Sequence, residues 1–500
     1  MSGSGLATFV PLFLAAGGVV TYAVARVTPT PGRRWAGTLA ALWQAAAFGL
    51  LLLAVDMGLV ASDRPLFSLL DATSLGFVLG LLATGLGALA ALASQGRVDP
   101  AGPVHLYYPL FLFAIAGAVA VGFAGDLFSL FVAVELSALP SYALVAYRWR
   151  EDPRAVGAAV KYLLQGVTGT VTALFGVGLL YVLGGSLRID PADPLALPSA
   201  LAGADAGLVA LGSGLLLVGY GVKLAVVPMH TWLPDAYVRA PAGVTAIMAG
   251  ATKAGALVAL FRSFAAVPTD VLAPATMGLV VSLLAVLTMT AGNLLALNQR
   301  DLRRMLAYSS VAQMGYVLLG FGIGLQHSVA LGFAAGLFYA VAYGVMKGGA
   351  FLCADLLAAA AGTPETARMQ GVGARHPVVG LSFAVFLLGL VGVPATAGFP
   401  GKLLLFQAGM ETGALGGVVL ALALAANSAL SLGYYVPALS TLLFQGGEPS
   451  AGADGKVPRT AAASVAALAL ATVVLGLFPY LVLGWVDEAS RYLNPSGGVP

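Results

Sequence analysis

The chain is poor in charge, in cysteine and in histidine. Only 9% of its 500 residues are Asp, Glu, Lys or Arg, whereas 59% are hydrophobic and the mean hydropathy is +0.94. A soluble globular domain of this length does not have such a composition. The single cysteine, Cys353, excludes an intrachain disulfide, and the four scattered histidines form no Cys/His pattern of a zinc or iron–sulfur site. We therefore predict an all-α polytopic membrane protein without a cofactor or metal of its own.

Apolar runs long enough to cross a bilayer recur along the whole chain. The first, from Leu6 to Val27, is expected to be a retained helix, because no basic segment or small-residue cleavage site marks it as a signal peptide. The runs predict fourteen spans, near 6–26, 36–60, 72–94, 105–124, 127–147, 155–183, 206–228, 242–266, 272–297, 305–325, 329–360, 377–411, 413–443 and 460–484.

Arginine lies mainly in the odd-numbered loops between these spans. The exceptions are Arg64, Arg188, Arg262 and Arg491, which fall in even loops or in the C-terminal tail. Since Lys and Arg gather in cytoplasmic loops, this asymmetry places the odd loops inside and both termini outside. The expected location is the inner (plasma) membrane of the cell, which the chain crosses many times.

Lysine has a different distribution from arginine. Lys223, Lys253, Lys347 and Lys402 lie within apolar spans, and Glu135 is the acidic residue placed well inside one. A charged side chain at the bilayer centre costs roughly 2.5 to 3.5 kcal/mol on insertion scales, so it usually faces a bundle interior and marks an ion path. A desolvated lysine can also lose its proton, which arginine effectively cannot. If Glu135 faces Lys223, changes in their separation would gate a proton on its way along the other lysines.

Prolines accompany two of these lysines. Pro228 and Pro234 follow Lys223, whereas Pro394 and Pro400 precede Lys402. Proline removes a backbone donor, so these segments predict interruptions of helices 7 and 12. Interrupted helices at corresponding places indicate two inverted five-helix repeats, helices 4–8 and 9–13. We expect helices 1–3 in 1–104, the repeats in 105–266 and 267–443, and helix 14 with the tail in 444–500.

Other functions remain open for the charged residues. Glu135 with one lysine could be a static ion pair, Lys347 could snorkel to an interface, and Lys402 could lie at one. Lys161 could lie at the membrane interface or extend the series of deep lysines. His230 could relay protons or cap the interrupted helix.

The remaining acidic residues near helix ends favour local functions. Asp71, Asp126 and Asp235 are expected to cap helices or bond to loops. Asp355 and Glu411 could line an exit of the ion path, but an interfacial position is the simpler expectation.

Four segments carry a family resemblance that covers roughly residues 70 to 440. They are GDLFSLFVAVELSALPSYALVAY, KLAVVPMHTWLPDAYVRAPAGVTAIMAGATKAG, RDLRRMLAYSSVAQMGYVLLG and GVPATAGFPGK. The chain resembles the antiporter-like, proton-translocating membrane subunits of respiratory complex I and of Mrp-type cation/proton antiporters. The resemblance implies fourteen helices, inverted repeats, broken helices 7 and 12, and a Glu–Lys pair that feeds central and terminal lysines. These positions match Glu135, Lys223, Lys253 and Lys402.

Within this family the chain is most similar to subunit N of NADH-quinone oxidoreductase. The Leu-Pro after Glu135, Lys253 and PATAGFPGK carry that similarity, whereas HTWLPDAY and Lys347 resemble subunits L and M or the D-type component of Mrp antiporters. Tyr339 and Tyr343 stand where histidines often precede the lysine of helix 11, which makes them candidate relay residues.

Three functions follow as hypotheses. The first is a proton-translocating subunit of a complex I-type respiratory complex, with flavin, iron–sulfur centres and quinone in partner subunits and no redox site here. The alternative is a D-type component of a multisubunit Mrp-type Na⁺(cation)/H⁺ antiporter. A third is a membrane scaffold with vestigial lysines. The presence of Glu135 and of all the deep lysines argues against this third function. Hard cations prefer oxygen ligands, so a lysine axis favours H⁺ over Na⁺.

Overall fold

The described part of the chain is helical throughout its regular structure. The computed structural model describes residues 7–28, 35–56, 73–98, 102–189, 193, 195–446 and 457–493. The spanning helices are α1 Val10–Val27, α2 Trp35–Asp56, α3 Ser74–Ser94, α4 Val104–Phe123, α5 Leu127–Val145, α6 Arg154–Gly184, α7 Ala206–Leu224 continued by Leu233–Arg239, α8 Ala242–Ala265, α9 Pro274–Leu297, α10 Leu302–His327, α11 Ala330–Ala361, α12 Pro377–Val391 continued by Gly398–Glu411, α13 Leu415–Phe444 and α14 Arg459–Leu477. A shorter helix, α15, follows at Tyr480–Arg491.

All fourteen predicted spans are confirmed as helices. Within the described residues, thirteen of them contain one helix long and apolar enough to cross a membrane, and the remaining span is α12, which is divided into two shorter pieces. Leu6 and Asp71 lie outside the described residues.

The most central helices are α8, α10 and α11. Nearly all of their residues are buried within the chain, whereas fewer than half of the residues of α6 and α13 are buried. A helix that is apolar on every side is stable in the centre of a bundle or in lipid. Polar side chains on α8, α10 and α11 are kept from water, so they must have hydrogen-bond partners within the bundle. Lys253 on α8 and Lys347 on α11 therefore lie at the centre of the fold.

Odd-numbered loops between the spanning helices meet on one side of the bundle. Arg97 after α3 contacts Asp355 near the end of α11, and Asp301 before α10 pairs its backbone with Glu365 after α11. On the opposite side, Asp126 before α5 pairs its backbone with Arg188 after α6. The alternating topology expected from the arginine distribution is therefore present in the described loops.

Helix α7 is interrupted next to Lys223. Its first piece ends at Leu224, and Ala225 takes a left-handed conformation with φ of 58°, which costs a non-glycine residue about 1 kcal/mol or more. Pro228 lies in the interruption, while Pro234 occupies the first turn of the second piece, where a missing N–H costs little. The predicted break in α7 therefore begins at Ala225 and includes Pro228, whereas Pro234 belongs to the first turn of the second piece.

Side chains bond to the backbone groups that this interruption exposes. The Trp232 indole N–H donates to the Val222 carbonyl at 2.8 Å, and the Val227 N–H donates to the Thr288 hydroxyl on α9 at 3.2 Å. An unpaired backbone group at membrane depth is costly, so these bonds stabilise the interruption.

Helix α12 is interrupted before Lys402. Gly392 and Ala395 have φ of 97° and 71°, and Pro394 lies between the two pieces. Pro400 lies in the first turn of the second piece, as Pro234 does in α7. The Ala397 N–H donates to the Thr472 carbonyl of α14 at 2.9 Å, so α14 supports this break.

A π-helical turn precedes Lys253 within α8. It covers Met248–Thr252 and has an extra residue in the turn, which changes the direction of the side chains that follow it. Gly250 lies within this turn against α11, where an added Cβ would lie 3.1 Å from the Gly344 carbonyl oxygen. The π turn therefore brings α8 close to α11, just before the lysine.

Candidate functional site

A buried ion pair joins α5 and α7. Lys223 Nζ lies 3.0 Å from Glu135 Oε1 and donates to the Tyr142 hydroxyl at 2.6 Å. The Lys223 side chain is 3% exposed and that of Glu135 is 17% exposed. Lys223 is in the last turn of the first piece of α7, where the free carbonyl ends of the helix favour a cation. The predicted pairing of Glu135 with Lys223 is thus found in the structure.

Aromatic rings fill the space from this pair towards Lys253. Tyr162 contacts Tyr142 edge-on at 4.5 Å between ring centroids and stacks on Trp232 at 4.2 Å. Tyr237 follows Trp232 at 6.1 Å, and Lys253 Nζ lies 5.8 Å from the Tyr237 ring centroid. The pair and the central lysine are therefore separated by an aromatic cluster, Tyr142, Tyr162, Trp232 and Tyr237.

Lys253 and Lys347 contact consecutive residues of α10. Lys253 Nζ donates to the Ser310 backbone carbonyl at 3.4 Å, and Lys347 Nζ donates to the Ser309 hydroxyl. Both serine hydroxyls also donate to the Leu306 carbonyl at 2.9 Å. One turn of α10 thus connects the two central lysines.

Beyond Lys347, hydroxyl and amide groups continue the polar series. Lys347 Nζ lies 3.5 Å from the Tyr435 hydroxyl, and the adjacent Tyr434 hydroxyl donates to Asn293 at 2.8 Å. The Asn293 amide donates in turn to the Tyr316 hydroxyl at 3.1 Å. These groups connect α11, α13, α9 and α10 within the second half of the chain.

Lys402 lies at the interruption of α12. Its Nζ donates to the carbonyls of Leu390 and Val391 at 2.9 Å each and lies 4.7 Å from the Tyr316 ring centroid. The Gln313 amide also donates to the Leu390 carbonyl, at 3.3 Å. Lys402 therefore caps the last turn of the helix piece that precedes it, where the helix dipole favours a cation.

The three lysines after the pair have neutral hydrogen-bond partners. Among the described residues, no carboxylate oxygen lies within 4.0 Å of Lys253, Lys347 or Lys402, although each is at most 8% exposed. Hydroxyls, carbonyls and aromatic faces are their partners instead. An isolated charge in such surroundings is costly, and a lysine can avoid that cost by releasing its proton.

The burial decides between alternatives for two lysines. Lys347 is fully buried and hydrogen-bonded to α10, which argues against the alternative that it snorkels to an interface. Lys402 is held by the α12 carbonyls and is not at the surface of the chain.

Lys161 lies away from the lysine series. Its Nζ is 2.7 Å from Asp235 Oδ2, and Arg304 Nη1 is 3.2 Å from Asp235 Oδ1. The Lys161 side chain is 39% exposed, which agrees with the interfacial position. Asp235 makes ion pairs and no capping hydrogen bond, so it holds the second piece of α7 against α6 and α10.

A second ion pair holds the same piece of α7. Arg239 Nη1 donates to Asp152 in the loop between α5 and α6. Burial alone would raise the pKa of Asp152, but hydrogen bonds from Arg154 and the charges of Arg239 and Arg154 outweigh it and lower that pKa below its usual value.

The other relay and capping candidates have distinct positions. The Tyr339 hydroxyl donates to Gln313 at 2.5 Å and Tyr343 is buried beside it on α11, whereas His230 lies in the α7 interruption with its ring 6.5 Å from Tyr308. Their relay function stays a prediction. Asp126 caps α5 as predicted, by accepting from the N–H groups of Phe128 and Ser129.

Sequence reasoning missed the polar partners of the lysines. Ser309, Gln313 and Tyr316 are spaced by four and three residues on α10, which places them on one face of a helix. That spacing in an apolar span was the available signal. Tyr142 had no comparable signal, because a single tyrosine in a membrane helix is common, whereas Tyr435 follows Asn427 and Ser431 at four-residue spacing on α13.

No metal centre is evident in the described ranges. They contain no group of three or more His, Cys, Asp or Glu side chains placed to hold an ion.

Residues 124–427 match the family described as NADH:quinone oxidoreductase/Mrp antiporter, TM. The chain belongs to this family. NADH-quinone oxidoreductase subunit N 1 of Sorangium cellulosum is 38% identical over 419 residues, which are 80% of this chain and 79% of that protein. F(420)H(2) dehydrogenase subunit N of Methanosarcina mazei is 34% identical over 480 residues, which are 92% of each chain.

A solved structure agrees with the family in fold. A chain of respiratory complex I from Thermus thermophilus with bound aureothin is 31% identical, with a TM-score of 0.75, and the match covers 96% of this chain and 99% of that chain. The family match extends from just before α5 into α13, so it includes Glu135 and all four deep lysines. The resemblance predicted from the motifs is confirmed.

Proposed function

We propose that this chain is the proton-translocating, antiporter-like membrane subunit of a complex I-type respiratory complex. The observation that carries the proposal is the series of buried lysines, from the Glu135–Lys223 pair through Lys253 and Lys347 to Lys402. Burying four lysine side chains in one membrane bundle is costly, and ionisable side chains at such positions typically mark an ion path or a proton relay. The series has titratable or hydroxyl groups along most of its length.

The Glu135–Lys223 pair controls entry in this mechanism. While the two side chains are in contact, Glu135 stabilises the proton on Lys223. When they separate, that stabilisation is lost, and the proton passes towards Lys253. The aromatic cluster between Lys223 and Lys253 must open or admit water for this step, so it keeps the two lysines apart in the paired state.

The second half of the chain completes the path. Lys253 and Lys347 exchange a proton across one turn of α10, and Tyr435, Tyr316 and Lys402 lead onward. Tyr339, Tyr343, His230 and Lys161 remain candidate relays beside this axis. We propose that 105–266 and 267–443 are the two inverted repeats, each with one broken helix, α7 or α12.

The host complex is proposed to be redox-driven. Subunit N proteins of NADH-quinone oxidoreductase and F(420)H(2) dehydrogenase are among the relatives, and they support this choice. Flavin, iron–sulfur centres and quinone would then lie in partner subunits, in the inner membrane, with both termini of this chain outside. An Mrp-type Na⁺/H⁺ antiporter is the alternative host, because the family includes those proteins.

The first experiment identifies the host. The chain is tagged, native membranes are solubilised mildly, and the purified complex is examined for iron, flavin absorbance and subunit masses. Iron and flavin with large hydrophilic partners support the redox-driven host. A colourless complex of membrane subunits would contradict it and favour the Mrp-type host.

A second experiment tests the path itself. The complex is reconstituted into vesicles and proton uptake is measured with an internal pH dye. Glu135→Gln, which keeps shape but removes charge, is expected to lose most uptake with the complex intact. The control is Glu365→Gln, whose partner Arg368 is a 72% exposed surface residue. Normal uptake in Glu135→Gln would contradict the mechanism.

A further inference from the structure

Three arginines surround one buried aspartate on the side where the odd loops meet. Arg97 Nη2 and Nε lie 2.5 and 3.1 Å from Asp355 Oδ2. Arg148 Nη1 and Arg303 Nη1 each lie 3.5 Å from Asp355 Oδ1. Asp355 is 5% exposed, so it is buried among these arginines near the end of α11. The proton path described above does not use this cluster.

The cluster carries more positive charge than its aspartate offsets. Asp355 supplies one negative charge against three guanidinium groups, which keep their charge at any physiological pH. Glu151 lies 3.8 Å from Arg148, but its side chain is 53% exposed and its effect is screened by water. The buried Nε–H groups of Arg148 and Arg303 have no hydrogen-bond acceptor within the described residues. The arginines thus have unused charge and unused donors.

A cavity opens beside these arginines. It has a volume of about 510 Å³ and is lined by Arg97, Arg148, Arg303 and Asp355, with Glu151 and the turn at 362–364. Arg97 and Arg148 follow the ends of α3 and α5, and Arg303 is in the first turn of α10, so the cavity lies at the level where helices leave the membrane. Net positive charge repels cations, which makes this cavity unsuitable as an entry for protons or Na⁺.

We propose that the Arg97, Arg148, Arg303 and Asp355 cluster is a binding site for a negatively charged phosphate group. The planar guanidinium group matches phosphate oxygens in bidentate hydrogen bonds. Asp355 holds the three arginines together, and the phosphate offsets part of the positive charge that remains. At this depth the phosphate can belong to an anionic lipid headgroup or to free phosphate in solution. This site is additional to the proposed proton translocation and does not depend on it.

The test uses the tagged complex, solubilised and stripped of lipid. It is titrated separately with short-chain phosphatidylglycerol, short-chain phosphatidylcholine and inorganic phosphate, and binding is followed by native mass spectrometry. Phosphatidylcholine carries a choline cation that the arginines repel, so phosphatidylglycerol is expected to bind more tightly. Arg148→Gln and Arg303→Gln are each expected to weaken its binding roughly tenfold.

The control is Arg368→Gln, because Arg368 is exposed on the same side and pairs with Glu365. It should bind phosphatidylglycerol as the unaltered chain does. Arg303→Lys keeps the charge without the planar fork and should give an intermediate affinity, which tests the site even if the Gln variants fail to assemble. Inorganic phosphate binding with the same arginine dependence, without lipid binding, would support the site with a soluble source. Equal binding of all ligands by the unaltered chain, Arg303→Lys and Arg368→Gln would overturn the proposal.

Discussion

The hydroxyl of Tyr142 lies 2.6 Å from the ammonium of Lys223. Glu135 approaches the same nitrogen at 3.0 Å, so Lys223 has one neutral partner and one charged partner. Tyr142 is about two turns after Glu135 on α5, which directs both side chains towards α7. A neutral acceptor keeps the ammonium in place when the carboxylate moves away. We infer that Tyr142 stabilises the separated state of the pair.

Tyr142→Phe is therefore expected to slow proton uptake by roughly tenfold, since a hydrogen bond to a charged group is lost while the ring contacts with Tyr162 remain. Uptake into vesicles that contain the reconstituted complex measures this effect. Tyr181→Phe is a suitable control, because Tyr181 is 51% exposed on α6. An unchanged rate in Tyr142→Phe would show that the carboxylate alone positions Lys223.

Lys223→Arg is expected to abolish most proton uptake even though it keeps the positive charge beside Glu135. Arginine does not release its proton under physiological conditions, so it can form the pair but cannot pass a proton on. Co-purification of partner subunits should be unaffected, which separates this effect from misassembly. Full uptake by Lys223→Arg would mean that Lys223 acts as a fixed charge.

Two neighbouring serines on α10 offer a matched comparison. Lys347 uses the hydroxyl of Ser309, whereas Lys253 uses the backbone carbonyl of Ser310, and both hydroxyls donate to Leu306. Ser309→Ala removes the acceptor of Lys347 and is expected to reduce uptake several-fold. Ser310→Ala leaves the carbonyl in place, so uptake should be close to normal. Equal losses in the two variants would indicate a general effect on α10.

The position of Lys402 predicts which substitutions are tolerated. Lys402 donates to two carbonyl oxygens at 2.9 Å. Without it the Leu390 carbonyl keeps the Gln313 amide, whereas the Val391 carbonyl is left unpaired at a cost of about 1 to 3 kcal/mol. Lys402→Gln supplies an N–H donor and should keep the thermal stability of the complex while losing proton uptake. Lys402→Glu places a carboxylate against the carbonyls and should lower the unfolding temperature unless the carboxyl is protonated. Equal unfolding temperatures of the Gln and Glu variants would argue against this capping function.

Much of this architecture could be predicted from the sequence. The spans follow from hydropathy over bilayer-length windows, and the two breaks follow from Pro228 and Pro394. Deep lysines are recognisable because each stands alone in an apolar helix. The pairing of Glu135 with Lys223 could also be expected, because Glu135 was the one carboxylate well inside a span.

The remaining contacts depend on how distant helices pack. The acceptors of Lys253 and Lys402 are backbone carbonyls, and every residue has a carbonyl, so no side-chain pattern marks them. The interfacial depth of Asp355 follows from its place near the end of α11, but only packing brings three arginines from separate segments to it. The left-handed Ala225 also has no sequence signal, since glycine is the residue usual in that conformation.

Trp232 joins the two sides of the α7 interruption. Its indole N–H donates to the Val222 carbonyl at 2.8 Å, and its ring stacks on Tyr162. Trp232→Phe keeps an aromatic ring but removes one of the two hydrogen bonds to the Val222 carbonyl, which also accepts from the Ala225 N–H at 3.1 Å, so we expect a loss of about 0.5 to 1.5 kcal/mol in stability. A lower unfolding temperature and faster proteolysis near the interruption would show this loss. Trp149→Phe is the control, because Trp149 is 51% exposed after α5. If Trp232→Phe matched the control in both measurements, the interruption would be stabilised by its other bonds, such as that of Val227 to Thr288, and the indole would serve only to fill the aromatic cluster.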